Sequence, residues 1–231
     1  MCAQYIVAAR KKQWKLVYGI DLPDDFEGFD EKVVPYKMAP VILQRGPTRV
    51  TEAMNFSLIP AWSKESKVKF STHNARLEST DEKTKKTTWI FEKPTWRTAF
   101  AKRHCLIPIS SFVEPAYHGK MEGNMVAFHD KNDELITAAA IWEAWTDQKT
   151  GEVIESFSII TDDPIPYVYK SIKHDRSPLF LKPAAFEEWL DTEGSKKEPK
   201  DWVKFLRKNT AELDLEASVD RPMAKGWEKR R

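Results

Sequence analysis

The sequence predicts a single α+β domain with a mainly antiparallel, barrel-like β-sheet core and flanking helices. Three observations predict it. Short β-like runs dominate the first 160 residues, helical spacing follows only after residue 163, and nothing in the composition marks a domain boundary. The chain of 231 residues is 41% hydrophobic and 31% charged, and its 14 prolines are scattered rather than clustered. That is the composition of a globular domain with a core of its own.

The β-runs in order are QYIVAA (4–9), APVIL (39–43), the run around NFSLIP (55–60), HCLIPIS (104–110) and MVAFHD (125–130). ELITAAAIWEAW (134–145) and EVIESFSIIT (152–161) follow, and the intervening TDQKTG makes them a hairpin. Several runs are bounded by Pro, Gly, Asp or Asn, the residues that turn a chain at strand ends. DPIPYVYKSIK (163–173) opens with Asp before Pro, a helix start. KPAAFEEWLD (182–191) and EPKDWVKFLRKN (198–209) space their aromatic and aliphatic residues as helices do, with the polar TEGSKKEPK (192–200) between them. The domain is expected over residues 1–221, with a basic tail over 222–231 that ends in GWEKRR and is loose at its end.

Several classes are set aside at once. No apolar run approaches the ~20 residues that cross a bilayer. The start MCAQYIVAARKKQW puts apolar residues before basic ones, the reverse of a signal peptide, so a cytoplasmic monomer with no membrane partner is expected. Cys2 and Cys105 are the two cysteines and form no CxxC, which argues against a disulfide framework and a paired-cysteine zinc site. His73, His104, His118 and His129 share no metal-ligand spacing, so neither metal nor cofactor is expected.

The net charge of +2 conceals a basic middle third. Residues 45–105 carry 13 Lys and Arg against 6 Asp and Glu, interleaved with Trp62, Phe70, Trp89, Phe91, Trp96 and Phe100. Such a mixture suits a groove that tracks phosphates and stacks unpaired bases. A solvated charged face over an aromatic core is the other reading. Cys105, inside an apolar run, reads as a buried small hydrophobe.

Cys2 offers a different chemistry. Initiator methionine is removed when the next residue is small, which would leave Cys2 with a free α-amine beside its thiol. The amine of such a 1,2-aminothiol condenses with an aldehyde, and the sulfur then closes a five-membered thiazolidine. An α-amine pKa of ~7.7–8.0 leaves a useful neutral fraction near pH 7.

NFSLIPAWSK (55–64), NARLEST (74–80), RHCLIPISSFVEP (103–115) and IKHDRSPLFL (172–181) follow Cys2 in this order. With that start, the chain resembles the SOS response-associated peptidase (SRAP) family, whose pattern runs Met-Cys-Gly-Arg, WGLIPxW, NARxET, RRCLIPxxGFYEW and HxRMPxxL. The resemblance covers residues 1–181 clearly and the remainder loosely. It implies an abasic-site sensor that acts on single-stranded DNA through a covalent thiazolidine crosslink, associated with the nucleoid and replication forks.

The resemblance further implies Cys2 as nucleophile, Asn74 as the amide holding the N-terminal amine, and Glu114 as general acid/base. His174 would protonate the deoxyribose ring oxygen and open the sugar to its aldehyde. Trp62 would stack beside the lesion, and Arg76, Arg103, Thr161 and Arg176 would contact DNA. Read alone, Asn74 is a turn or cap residue, Glu114 a strand end, His174 a cation at a helix C-terminus, Trp62 a core residue and Thr161 a helix cap.

The chain departs from the pattern where Cys-Gly-Arg reads Cys-Ala-Gln, WGLIP reads FSLIP and GFYEW reads SFVEP. The first removes an arginine that would help hold DNA. Two other functions fit the same residues: an autopeptidase that cleaves before Cys2, with lyase activity a further option for the crosslinking reading, and a non-covalent single-stranded-DNA binding module.

Overall fold

A computed structural model describes residues 4–26 and 30–230. Its core is the mainly antiparallel sheet the sequence predicts, in one domain. The strands are β1 (Tyr5–Ala8), β2 (Asp30–Val33), β3 (Met38–Arg45), β4 (Thr48–Phe56), β5 (Asn74–Arg76), β6 (Glu78–Thr80) and β7 (Thr87–Trp89). They continue with β8 (His104–Ile109), β9 (Ser111–Pro115), β10 (Asn124–Asp130), β11 (Ile136–Thr146), β12 (Val153–Asp162), β13 (Ser177–Pro178) and β14 (Leu215–Pro222). The α-helices are α1 (Lys11–Tyr18), α2 (Arg97–Lys102), α3 (Pro166–Ile172), α4 (Phe186–Leu190) and α5 (Pro199–Lys208).

Five strands close on themselves in the order β8-β3-β4-β12-β11, because β11 pairs with both β12 and β8. Closure removes the open edges of a flat sheet. The barrel pairs are antiparallel except β4 with β12, and β5 adds a second parallel partner to β12. A second sheet runs β14-β10-β9-β1-β2. The two sheets share one continuous segment: HCLIPI lies in the barrel, and one residue later SFVEP lies in the second sheet. At the corner, Ser110 donates its backbone N–H to Ile6 and accepts from Ala8 through its hydroxyl. Tyr5 on Phe56 (5.4 Å) and Phe112 on Phe180 (5.4 Å) fill the space between the layers.

The late helices cover one flank. Trp189 of α4 and Trp202 of α5 enclose His104, whose ring stacks on Trp189 at 3.6 Å and meets Trp202 edge-on. Cys105 beside it is fully buried, and burial drives its thiol pKa far up, the behaviour of a small hydrophobe.

The hairpin joins β11 and β12 as the sequence predicts, and the three late helices form within the expected segments. One expectation is corrected. The run around NFSLIP is not a strand through residue 60: β4 ends at Phe56, and Ser57 turns the chain at φ +130°. Within the tail, the 3-10 turn Trp227–Arg230 places Trp227 against Gly123 and Tyr117. Helix α1 and strand β14 had no counterpart in the sequence reading.

The Ser57 turn is held from three sides. Ser57 donates its backbone N–H to Phe157, Leu58 to Thr72, and Ile59 to the Ser156 hydroxyl. These bonds hold a side-chain-bearing residue where glycine is preferred, at a cost of order 1–3 kcal/mol. Ser57→Gly is therefore expected to raise the unfolding free energy by about 0.5–2 kcal/mol, net of the extra chain entropy of glycine of ~0.5–1 kcal/mol. Urea titration reads this directly, and a lower midpoint in the variant would show that Ser57 is unstrained.

Candidate functional site

The β-barrel brings distant motifs to one end of β12. Strand β5 pairs with β12 on one side, with Asn74 opposite Ile159 and Arg76 opposite Thr161. Strand β13 pairs on the other, with Pro178 opposite Thr161. The turn that joins α3 to β13 carries His174, Asp175 and Arg176. Lys173 ends the helix in the left-handed conformation (φ +57°), which redirects the chain into this turn.

Glu114 comes from the second sheet, near the end of β9, where it pairs with Val126 of β10. It is fully buried, and His174 is 7% exposed. Their side chains meet, His174 Nε2 to Glu114 Oε2, at 3.4 Å. The other ring nitrogen, Nδ1, lies 2.9 Å from the carbonyl of Arg176, which fixes the ring plane. If that nitrogen carries the proton, Nε2 is left to exchange a proton with the carboxyl or a substrate.

A charged rim adjoins the pair. Asp175 accepts from Arg176 at 2.9 Å and lies 3.9 Å from Arg76. Partial burial raises the Asp175 pKa, but the Arg176 hydrogen bond and the charges of Arg176, His174 and Arg76 outweigh it and hold the carboxyl below its ordinary range. Asn74 is buried on the same strand face as Arg76, two residues away.

Trp62 does not belong to the core. It is 55% exposed, its indole N–H reaches the Pro94 carbonyl at 3.3 Å, and its ring stacks on the half-exposed Phe70 at 6.3 Å. Lys67 of the same loop sits over the exposed Tyr36 ring at 4.9 Å. The other aromatics of the basic third divide differently: Trp96 and Phe100 are buried, and Trp89 stacks with Phe91.

Of the nine residues singled out from the sequence, Asn74, Glu114, His174, Arg76, Arg176 and Thr161 converge here, with Trp62 linked through Pro94. Cys2 lies outside the described residues. Thr161 is fully buried, and α3 starts at Pro166 with no side-chain cap, so Thr161 is not a helix cap. Arg103 sits elsewhere. Its guanidinium meets the buried Glu143 at 2.6 Å and flanks Trp142, in the wall of a cavity of about 800 Å³ also lined by Arg45 and Asp191. That cavity is thus separate from the convergent residues.

One residue the sequence reading missed lies beside them. Gln4 hydrogen-bonds through its backbone carbonyl to Val113, next to Glu114, and its side-chain oxygen accepts from Arg221 of β14 at 2.7 Å. The arginine absent from position 4 thus has a spatial counterpart 217 residues along the chain, invisible to any local pattern. Among the described residues, no three His, Cys, Asp or Glu side chains group as a metal site, and no helix is long and apolar enough to cross a membrane.

A family model for SOS response associated peptidase (SRAP) matches residues 1–221. The chain is 28% identical over 173 residues to the abasic site processing protein YoaM of Bacillus subtilis (strain 168), covering 73% of this chain and 70% of that one. It is 25% identical over 219 residues to the abasic site processing protein YoqW of Bacillus phage SPbeta, with coverage of 94% and 91%. With the abasic site processing protein HMCES of Gallus gallus it shares 27% identity over 187 residues, spanning 68% of this chain and 52% of the longer relative. Two solved structures share the fold. A Bacteroides thetaiotaomicron protein superposes with a TM-score of 0.71 at 24% identity, covering 95% and 92% of the two chains. A phage-related protein of Bordetella bronchiseptica gives 0.66 at 17% identity, covering 95% and 94%.

His73, adjacent to Asn74 and edge-on to Phe56, is lowered by burial to a pKa of about 4. A folded pKa below the unfolded value of ~6.5 means that the unfolded chain binds the extra proton between these limits. Stability is therefore fully present above pH 6.5 and is lost as pH falls toward 4. His73→Gln is expected to reduce the proton uptake on unfolding at pH 5 by close to one, read from denaturant midpoints across pH. An unchanged slope would place a protonated His73 in the fold.

Proposed function

Because this chain belongs to the SOS response associated peptidase (SRAP) family, we propose that it processes abasic sites in DNA, joining Cys2 to the open-chain sugar of a single-stranded lesion. The observation that carries the reading is the buried Glu114–His174 pair at 3.4 Å, one residue from the backbone that anchors Gln4. Cys2 is two residues from Gln4, and two residues span at most ~7 Å. Gln4, the second residue after Cys2, is thus anchored beside the strand that carries Glu114.

Loss of Met1 frees the Cys2 α-amine. His174 gives a proton to the ring oxygen of the closed sugar as the anomeric hydroxyl loses its own, and the aldehyde opens. The neutral amine adds to the aldehyde carbon, with Asn74 orienting it through an amide that does not titrate. Glu114 shuttles the proton that lets hydroxide leave as water and gives the imine. The Cys2 sulfur then adds to the imine carbon while the nitrogen regains a proton, closing the thiazolidine. Aminothiol and aldehyde thus become ring plus one water, with no oxidant or reductant. Arg76 and Arg176 face the phosphates, and Trp62 stacks on a neighbouring base. Thr161 is fully buried and Arg103 pairs with Glu143 away from that surface, so neither is assigned a phosphate.

Cys2→Ala is expected to abolish a heat-stable adduct with an abasic oligonucleotide while reversible binding stays within a few-fold. Cys2→Ser should fail equally, since an oxazolidine hydrolyses readily, and an equally stable serine adduct would rule out the thiazolidine. Reversible binding alone in the wild type would leave a non-covalent DNA-binding module, and turnover of peptides would favour the peptidase reading.

Glu114→Gln and His174→Ala should slow crosslinking by ~10²-fold, toward the low end of general acid–base assistance, with the same final yield. His174→Ala should be slowest on the closed hemiacetal. Timed crosslinking by variants of unchanged melting temperature checks this, and wild-type rates would remove both residues from the mechanism.

A further inference from the structure

Lys93 follows the 3-10 turn Ile90–Glu92, which Glu92 closes by accepting the Trp89 backbone N–H at 2.6 Å. The turn points the Lys93 side chain back along β5 and β6. Its Nζ donates to the Arg76 carbonyl at 3.3 Å and to the Ser79 hydroxyl at 2.8 Å. Both acceptors are neutral oxygens, and an ammonium has a third proton to give. Holding a half-buried cation there with neutral partners is costly, and two further cations are close. Burial lowers the Lys93 pKa, and the charges of Arg76 and Arg176 lower it further. Arg76 and Arg176 share the single carboxylate of Asp175. Three cations thus gather beside two carboxylates, Asp175 paired with both arginines and Glu92 acting on Lys93, and an added anion would complete the balance.

The next residue fixes which anion fits. The Pro94 carbonyl holds the indole of Trp62, and the Trp62–Phe70 stack is the exposed aromatic platform of the same surface. Consecutive Cα atoms are ~3.8 Å apart, so Lys93 and Pro94 join a base-stacking platform directly to a cation cluster. An isolated phosphate would use the cations and ignore the platform. A nucleic-acid strand uses both.

We propose that Lys93 is a phosphodiester ligand, and that with Arg76 and Arg176 it binds the backbone phosphate between the base stacked on Trp62 and the lesion sugar. The proposal rests on the reading above that the chain binds single-stranded DNA. It gives Lys93 a role distinct from a strut between β5 and β6, since a strut needs only the two neutral hydrogen bonds.

The test is a salt titration of reversible binding to a short oligothymidylate containing one tetrahydrofuran abasic analogue, which cannot form the covalent bond. Each phosphate contact adds ~0.7 to the log–log slope for single strands. Lys93→Met should lower the magnitude of the slope by ~0.7 and weaken binding several-fold at low salt, whereas Lys93→Arg should keep the wild-type slope. Lys200→Met, on the exposed start of α5, serves as the control and should also keep it. An unchanged slope in folded Lys93→Met overturns the proposal while leaving the DNA reading intact. A flat salt response in the wild type removes the DNA reading and this proposal with it. Acetylation footprinting of the wild-type protein needs no variant: the oligonucleotide should protect the Lys93 amine several-fold more than Lys200, and equal labelling with and without DNA overturns the proposal even if Lys93→Met fails to fold.

Discussion

A fully buried carboxylate meeting an almost fully buried imidazole at 3.4 Å is the contact on which the arrangement of this site depends. Glu114 belongs to the second sheet and His174 to the turn leading back into the barrel. The carboxyl of one layer thus finds its partner in the ring of the other, both enclosed by the fold. The pair therefore ties the two layers together at the place where the start of the chain is anchored through Gln4. The geometry of the pair is set by strand pairing on one side and by the Arg176 carbonyl on the other, and this is the geometry the proposed proton transfer uses.

The surrounding charges separate into two groups with different tasks. Those around Arg103 are mutually satisfied: Glu143 takes its charge, while Arg45 is shared between Glu52 and Glu155. Those around Arg76 are not. Arg76 and Arg176 share the carboxylate of Asp175, and Lys93 donates to two neutral oxygens with Glu92 as its neighbouring carboxylate, beside an exposed aromatic stack. Cations outnumbering their carboxylates next to exposed rings would suit the polyanion with flat, apolar faces that the proposed function calls for. The large cavity beside Arg103 lacks that imbalance, which is why size alone is a poor guide to the site here.

Much of this was legible in the sequence. Buried strands such as HCLIPIS and SFSIIT are nearly continuous apolar runs, and α5 carries a strict helical stripe of Trp202, Val203, Phe205 and Leu206. The motifs also named the convergent residues, because each is short and local. What failed was whatever depends on distant partners. Strand β14 is largely exposed and charged, so it lacks an apolar pattern, yet its Arg221 holds Gln4. NFSLIP looked like a strand because Leu58 and Ile59 are buried, but they are buried beyond a turn held at Ser57 by backbone N–H groups of Ser57 and Leu58 donating to the Phe157 and Thr72 carbonyls. Arg103 shared the same basic segment as Arg76, and only strand register reveals that β8 carries it away from the site. The role proposed for Cys2 rests on side-chain reactivity and the family resemblance rather than on the fold.

Mass spectrometry of the adduct between the wild-type protein and an abasic single-stranded oligonucleotide tests the central claim most directly. The account predicts a species with the mass of the chain without Met1 plus the oligonucleotide minus one water, with the linkage mapped by peptide fragmentation to Cys2. An adduct that retains Met1, or one that maps to a lysine, would contradict it.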